Sequence, residues 1–166
     1  MDSIHFKLAC AYDFEWVFSL KSLTERKYIE PHFGWDETYQ RGLLAREWAL
    51  SKPWLIANDA GKVGTICYRY GESGVYLNSF YILPEFQRSG IGTRVLTLIC
   101  ERLNQENHSC ELAYLKGNPV QSLYHRFGFF VANLPGTSSI CVAGLTRFAQ
   151  SDLGSPSTNC DEPVQR

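Results

Sequence analysis

Gln87-Arg88-Ser89-Gly90-Ile91-Gly92-Thr93 is the segment of this 166-residue chain whose residue types and spacing point most directly to chemistry. An apolar run ending at Pro84 precedes it, and an amphipathic run follows. It therefore reads as a strand, a proline stop, a glycine loop and a helix start. The first turn of a helix leaves up to four backbone N–H groups unpaired and carries a partial positive charge, which suits an anion. Gly90 and Gly92 let main chain approach closely, and Arg88 adds a charge-assisted donor. Pyrophosphate is the natural guest. Two other ligand readings fail on the residues. A dinucleotide fingerprint needs a third glycine where Val95 stands, and no βαβ unit opens the chain. A Walker loop needs Gly-Lys-Ser/Thr, which does not follow here. The plain reading, a loop and first turn with no ligand, stays open at this point.

The elements that must position this loop follow from periodicity and punctuation. Ile4 to Cys10 reads as a first strand. Asp13 precedes Phe14, Val17, Phe18 and Leu20 at helical spacing, as an N-cap does. Pro31 and Gly34 break the chain. Asp36 to Leu50 reads as a second helix with Tyr39, Leu43, Leu44 and Trp48 on its apolar side, and Pro53 ends it. Trp54 to Ala57 and Val63 to Tyr70 form a hairpin about Asn58-Asp59-Ala60-Gly61. A second turn, Gly71-Glu72-Ser73-Gly74, leads into a strand from Val75 to Leu83. After Gly90, the residues Ile91, Val95, Leu98, Ile99 and Leu103 share one face of a 3.6-residue period. Glu111 to Leu115 is a strand. Asn118-Pro119 opens a short helix to about Phe127, which Gly128 ends. Phe129 starts another strand, and Ser139 to Phe148 is the last. The order β-α-α-β-β-β-α-β-α-β-β predicts an α+β protein, a mixed α/β sandwich with a mixed central sheet and helices on both faces. Residues 150–166 are rich in Ser, Pro, Asp and Gln, so they are expected to be a polar, disordered tail, with 1–149 as one domain.

Two segments of this layout resemble the GCN5-related N-acetyltransferase (GNAT) superfamily. Gln87-x-x-Gly90-x-Gly92 is similar to its Arg/Gln-x-x-Gly-x-Gly/Ala pyrophosphate loop. About 25 residues on, Asn118-Pro119-Val120-Gln121-Ser122-Leu123-Tyr124-His125-Arg126-Phe127-Gly128-Phe129 looks like the family's Asn-…-Tyr-…-Gly-Phe segment. The element order also agrees with the family from about Ile4 to Phe148. The resemblance implies the acyl-CoA N-acyltransferase fold. It implies transfer of an acetyl group from acetyl-CoA to a primary amine by direct attack, with no metal. The pyrophosphate would rest on main chain at Arg88, Ser89, Gly90, Ile91, Gly92 and Thr93, with Gln87 fixing the loop. The pantetheine arm would run along Phe80, Tyr81 and Ile82 and meet Asn118. Tyr124 would act as general acid on the leaving thiolate, since a phenol with a pKa of about 10 carries a proton to give. Asn118 and Tyr124 are thus the catalytic candidates, although Tyr124 also fits a packing aromatic.

The acceptor side is less defined. Many relatives carry a carboxylate on or near the fourth strand, and Val75 to Leu83 holds none. Asn78 and Ser79 are polar there and suited to hold a water. Glu30, His32, Asp36, Glu37 and Glu72 are the other candidate bases. The aromatic and acidic segment Tyr28 to Glu37 matches a wall of the family's acceptor cleft. Glu30, Trp35 and Glu37, with Asn78 and Ser79, are the candidate acceptor-binding residues, because aromatic faces and carboxylates suit a cationic amine. The same segment fits a helix start equally well, with Phe33 and Trp35 packed inward and Asp36 and Glu37 at a helix N-terminus. A non-catalytic acyl-CoA-binding protein on the same fold is the alternative function.

Composition narrows the classes. Hydrophobic residues make up 45% and charged residues 20%, as in an ordered globular protein. Lys+Arg 16 against Asp+Glu 17 gives a net charge of −1, which disfavours a nucleic-acid partner. No apolar run is long enough for a membrane span, and the N-terminus has no signal-like pattern. The six cysteines form no C-x-x-C pair, so reduced thiols and a cytoplasmic location are expected. The four histidines lack metal-ligand spacing. The expected partner is a small-molecule or peptide amine, and the family resemblance is compatible with a homodimer.

Overall fold

The computed structural model describes residues 3–72, 74–132 and 140–145. Its strands are β1 (His5–Leu8), β2 (Trp54–Asn58), β3 (Gly61–Gly71), β4 (Gly74–Ile82), β5 (Cys110–Leu115), β6 (Phe130–Ala132) and β7 (Ile140–Leu145). They form one seven-stranded sheet in the order β1-β2-β3-β4-β5-β7-β6. Every neighbouring pair is antiparallel except β4 and β5. That parallel pair needs a crossover, and α3 (Ile91–Gln105) supplies it. The other helices are α1 (Phe14–Phe33), α2 (Glu37–Leu50) and α4 (Val120–Arg126).

Successive side chains of a strand point to opposite faces. On β2, Leu55 packs with Val17 and Phe18 of α1 and Leu44 of α2. Its neighbour Ile56 packs with Val95, Leu96 and Leu103 of α3 and Tyr124 of α4. The helices α1 and α2 therefore cover one face and α3 and α4 the other, the mixed sandwich that the element order predicts. Among the described residues no helix is long and apolar enough to cross a membrane.

Several local expectations change. Pro31 does not break α1. It lies in the last turn, where it removes one helical hydrogen bond, and the helix ends at Gly34. There φ is +71° and the N–H reaches Glu30 O at 3.0 Å, a geometry that favours glycine. The Asp13 side chain does not cap α1. It closes the turn before it, accepting from Cys10 N–H at 2.9 Å and pairing with Lys62 at 2.7 Å. The stripe of α3 runs through Leu96, while Leu98 is 50% exposed. On α2, Gln40 is buried and Tyr39 is exposed. The first strand is shorter than read and exposed along its length. Residues 139 and 146–148 of the expected last strand and the tail from 150 lie outside the described residues.

Candidate active site

The parallel ladder between β4 and β5 holds only Val75–Cys110, Tyr76–Glu111 and Leu77–Leu112. Both strands continue past Leu77 and Leu112, but they no longer pair. Between them lies a cleft of about 420 Å³, lined by Leu77–Ile82 on one side and Ala113–Leu115 on the other. On its far edge β4 stays paired with β3, and there it carries one extra residue. Thr65 pairs with Tyr81 and Cys67 with Asn78, so three steps on β4 match two on β3. This is a β-bulge, and Ser79 sits in it with φ +49°.

A bulge inverts the alternation of a strand. Before it, Val75 and Leu77 belong to the core under α3 and α4; after it, Phe80 and Ile82 do. Asn78 and Ser79, consecutive in sequence, therefore both face the α1 and α2 side. The main chain is sorted as well. Leu83 N–H donates to Val63 O of β3 at 2.8 Å. N–H and C=O groups of successive strand residues point to opposite edges, so those of Ile82 and Phe80 face the cleft.

The glycine loop closes one end. Gln87 Nε2 donates to Ile82 O at 2.9 Å, and Ser89 Oγ donates to Phe86 O at 2.5 Å. Arg88 and Gly90 both take left-handed backbone, at φ +61° and +86°. Alternation of left- and right-handed residues turns successive N–H groups into one concavity. Gly90 leads into α3, whose first intrahelical bond is Arg94 N–H to Gly90 O, and no side chain caps this end. The N–H groups of Ile91, Gly92 and Thr93 are thus free of helical partners. The two glycines have different reasons to be there. Gly90 is needed for its φ. A Cβ on Gly92 would lie 3.3 Å from Leu123 Cδ2, so that glycine lets α3 approach α4.

The structure gathers most of the expected coenzyme residues in this cleft. Phe80, Tyr81 and Ile82 line it from β4, Gln87, Arg88, Gly90, Gly92 and Thr93 from the loop and α3, and Asn118 and Tyr124 from beyond β5. Ser89 and Ile91 are not among the lining residues; the side chain of Ile91 is buried in the core. Asn118 Oδ1 accepts from Val120 N–H at 3.0 Å and opens α4. Tyr124 is 4% exposed and packs against the rings of Tyr114 and Phe129 at 5.7 and 5.8 Å. Burial, helped by the nearby charge of Glu25, holds its phenol above the usual tyrosine range, so it keeps its proton at neutral pH.

The acceptor candidates divide. Asn78 and Ser79 line the cleft; Glu30, Trp35 and Glu37 do not. Glu30 pairs with Arg26 at 2.8 Å and Glu37 with Arg41 at 3.1 Å. Trp35 packs at the edge of the smaller core, with the Arg26 guanidinium 5.7 Å from its ring. Asp36 Oδ1 accepts from Tyr39 N–H at 2.9 Å and caps α2. His32 stands against Phe33, and Glu72 is exposed at the β3–β4 turn. Local packing and capping account for most of the segment from 28 to 37, but Phe33, expected to pack inward, is 62% exposed.

Sequence reading missed a polar network beside the bulge. Thr24, Glu25, Lys27 and Tyr28 of α1 line the cleft. Buried Lys21 pairs with Glu25 at 2.6 Å and approaches Tyr81 Oη at 3.4 Å. From α2, Glu47 Oε2 accepts from Ser79 Oγ at 3.3 Å. Two signals were present. Lys21 interrupts the inward face of α1, and the adjacent Asn78-Ser79 breaks the alternation of β4. Among the described residues no three His, Cys, Asp or Glu side chains gather as metal ligands.

Comparison with known proteins accords with this geometry. Residues 50–131 match the family described as "Acetyltransferase (GNAT) domain". Among solved structures, the chain is similar to the PaiA N-acetyltransferase of Thermoplasma acidophilum, solved in complex with coenzyme A. The identity is 17%, the TM-score 0.64, and the match covers 84% of this chain and 98% of that one. It is also similar to the ribosomal-protein-S18-alanine N-acetyltransferase of Escherichia coli, at 14% identity and TM-score 0.64, covering 90% and 98%. An acetyltransferase from Thermus thermophilus superposes at 12% identity and TM-score 0.67, covering 86% and 96%. Among curated proteins no sequence relative is found. Fold and family match together define an acyltransferase. Residues 50–131 thus match the GNAT acetyltransferase domain, on a fold shared with solved members of that family.

Proposed function

We propose that this protein transfers the acetyl group of acetyl-CoA to a primary amine on a small-molecule or peptide acceptor. The observation that carries this reading is the meeting of three features in one cleft: the open edge of β4, the uncapped N-terminus of α3 and the buried phenol of Tyr124. The chain's own residues fit the substrate. The left-handed pair Arg88 and Gly90 and the first N–H groups of α3 suit a pyrophosphate. The cleft-facing N–H and C=O groups of Phe80 and Ile82 suit an amide-bearing arm laid along the strand. The coenzyme A bound to the Thermoplasma relative supports the same assignment.

In the reaction, the thioester supplies an activated acyl carbon. Donors fixed along β4 stabilise negative charge on the carbonyl oxygen as the amine attacks. Tyr124 holds the proton that the leaving sulfur requires. A cytoplasmic setting, where thiols stay reduced, goes with this reading.

Calorimetry with acetyl-CoA, followed by thiol release over a panel of amines, tests the proposal. Binding and amine-dependent thiol release are expected. No binding at millimolar acetyl-CoA sinks the reading. Binding without release from any amine makes the chain a coenzyme-binding protein instead.

A further inference from the structure

We propose that Ser79 and Glu47 form a proton relay that deprotonates the acceptor amine, with Ser79 touching the amine and Glu47 receiving the proton behind it. The inference rests on the transferase reading and gives it the base that β4 lacks. The bulge turns both Asn78 and Ser79 toward α1 and α2 and keeps them in the cleft wall. The hydroxyl of Ser79 already donates to Glu47 Oε2, so its lone pairs remain to accept an N–H from the cleft. Asn78 Oδ1 is buried and has no hydrogen-bond partner among the described residues. A buried acceptor of this kind is costly unless something donates to it. An ammonium beside Ser79 has N–H groups for both oxygens.

The proton count closes. One N–H proton of the ammonium moves to Ser79 Oγ as the hydroxyl proton moves to Glu47 Oε2. The neutral amine then forms the C–N bond to the acyl carbon, and the C–S bond breaks. Sulfur takes the proton of Tyr124. The second amine proton, lost as the amide forms, restores the phenol. Glu47 returns its proton to solvent through the same hydroxyl after product leaves.

Glu47 is surrounded for the task. Lys21 and Glu25 face it from α1, Cys67 and Arg69 from β3, and Tyr76, Ser79 and Tyr81 from β4. Burial raises its carboxyl above the usual range, partly offset by Lys21. A raised carboxyl is a better base. It also switches off sooner on acidification, because the relay needs Glu47 ionised. Activity should therefore fall at a pH above the ordinary carboxylate value.

The test compares two small amines of similar size with acetyl-CoA: ethylamine, an ammonium at neutral pH, and trifluoroethylamine, already neutral there. Glu47→Gln and Ser79→Ala should each slow thiol release with ethylamine on the order of 100-fold. Both variants should react almost normally with trifluoroethylamine. The double variant should lose no more than either single one, as expected for residues acting as a unit. Glu47→Gln should also lose the acid limb of the pH–rate profile. Calorimetric affinity for acetyl-CoA should not change. Equal losses with both amines, additive losses, or collapse of coenzyme affinity would assign the pair a structural role and overturn the relay. If Glu47→Gln does not fold, Ser79→Ala alone carries the comparison. A wild type that turns over ethylamine beside fully active variants defeats the relay alone. A wild type that binds acetyl-CoA but releases thiol with neither of these amines nor any other of the panel defeats the relay and the transferase reading together.

Discussion

Tyr124 and Asp13 show how the same physical chemistry shifts two groups in opposite directions. Tyr124 is surrounded by rings, so ionising it would strand charge in an apolar setting, and its proton stays. Tyr124→Phe should lower kcat on the order of 100-fold while leaving acetyl-CoA affinity intact, as calorimetry beside a thiol-release assay would read. Loss of affinity would make it a packing residue. Asp13 is buried yet held well below the usual carboxylate range, first by the Cys10 N–H and next by Lys62. A depressed carboxyl stabilises the fold above its unfolded pKa and loses that contribution as pH falls toward its folded one. Asp13→Asn should therefore cost about 1–2 kcal/mol in urea melts at pH 7 and progressively less on acidification. The motif-bearing residues were legible because their spacing is local. Glu47 was not, because its role depends on facing a bulge 32 positions away in the chain.

At the scale of elements, the bulge in β4 and the entry to α3 do the positioning. Gly64 lies beside the bulge on β3, and a Cβ there would come within 2.4 Å of Tyr81 O, which is main chain and cannot yield. Gly64→Ala should destabilise by about 1–3 kcal/mol and broaden the cleft, a change that thermal melts and coenzyme titration would detect. At Gly90 a Cβ meets nothing within 4 Å, so Gly90→Ala should show only the strain of positive φ, about 1 kcal/mol, with weaker coenzyme binding. Most elements were readable from apolar period and from glycine and proline. The exceptions have specific causes. A proline in a last turn removes a single bond, so α1 passes through Pro31. Leu96 and Leu98 are both leucines, and only packing distinguishes the buried one from the exposed one.

On the scale of the whole molecule, the sheet separates two tasks. The family match begins at residue 50 and so omits α1 and nearly all of α2. What it covers is the half to which the proposed function assigns the coenzyme, from the β2–β4 sheet through the glycine loop to α4. What it omits supplies Thr24, Glu25, Lys27 and Tyr28 to the cleft. This division explains why donor chemistry was readable from the sequence and acceptor chemistry was not. On the proposed reading, the loop answers to a fixed pyrophosphate, whereas the α1 wall answers to whichever amine is acetylated. Tyr28→Ala should accordingly raise the acceptor KM by about tenfold, with acetyl-CoA affinity unaffected in calorimetry.

The short parallel ladder of β4 and β5 also makes the protein its own reporter. Past Leu77 the amide hydrogens of Phe80 and Ile82 have no cross-strand acceptor on β5. They should exchange with deuterium faster than those of Val75 to Leu77, and a ligand that supplies the missing rungs should slow them selectively. Occupancy could then be followed as local deuterium uptake, before any acceptor is known and with no bond made or broken.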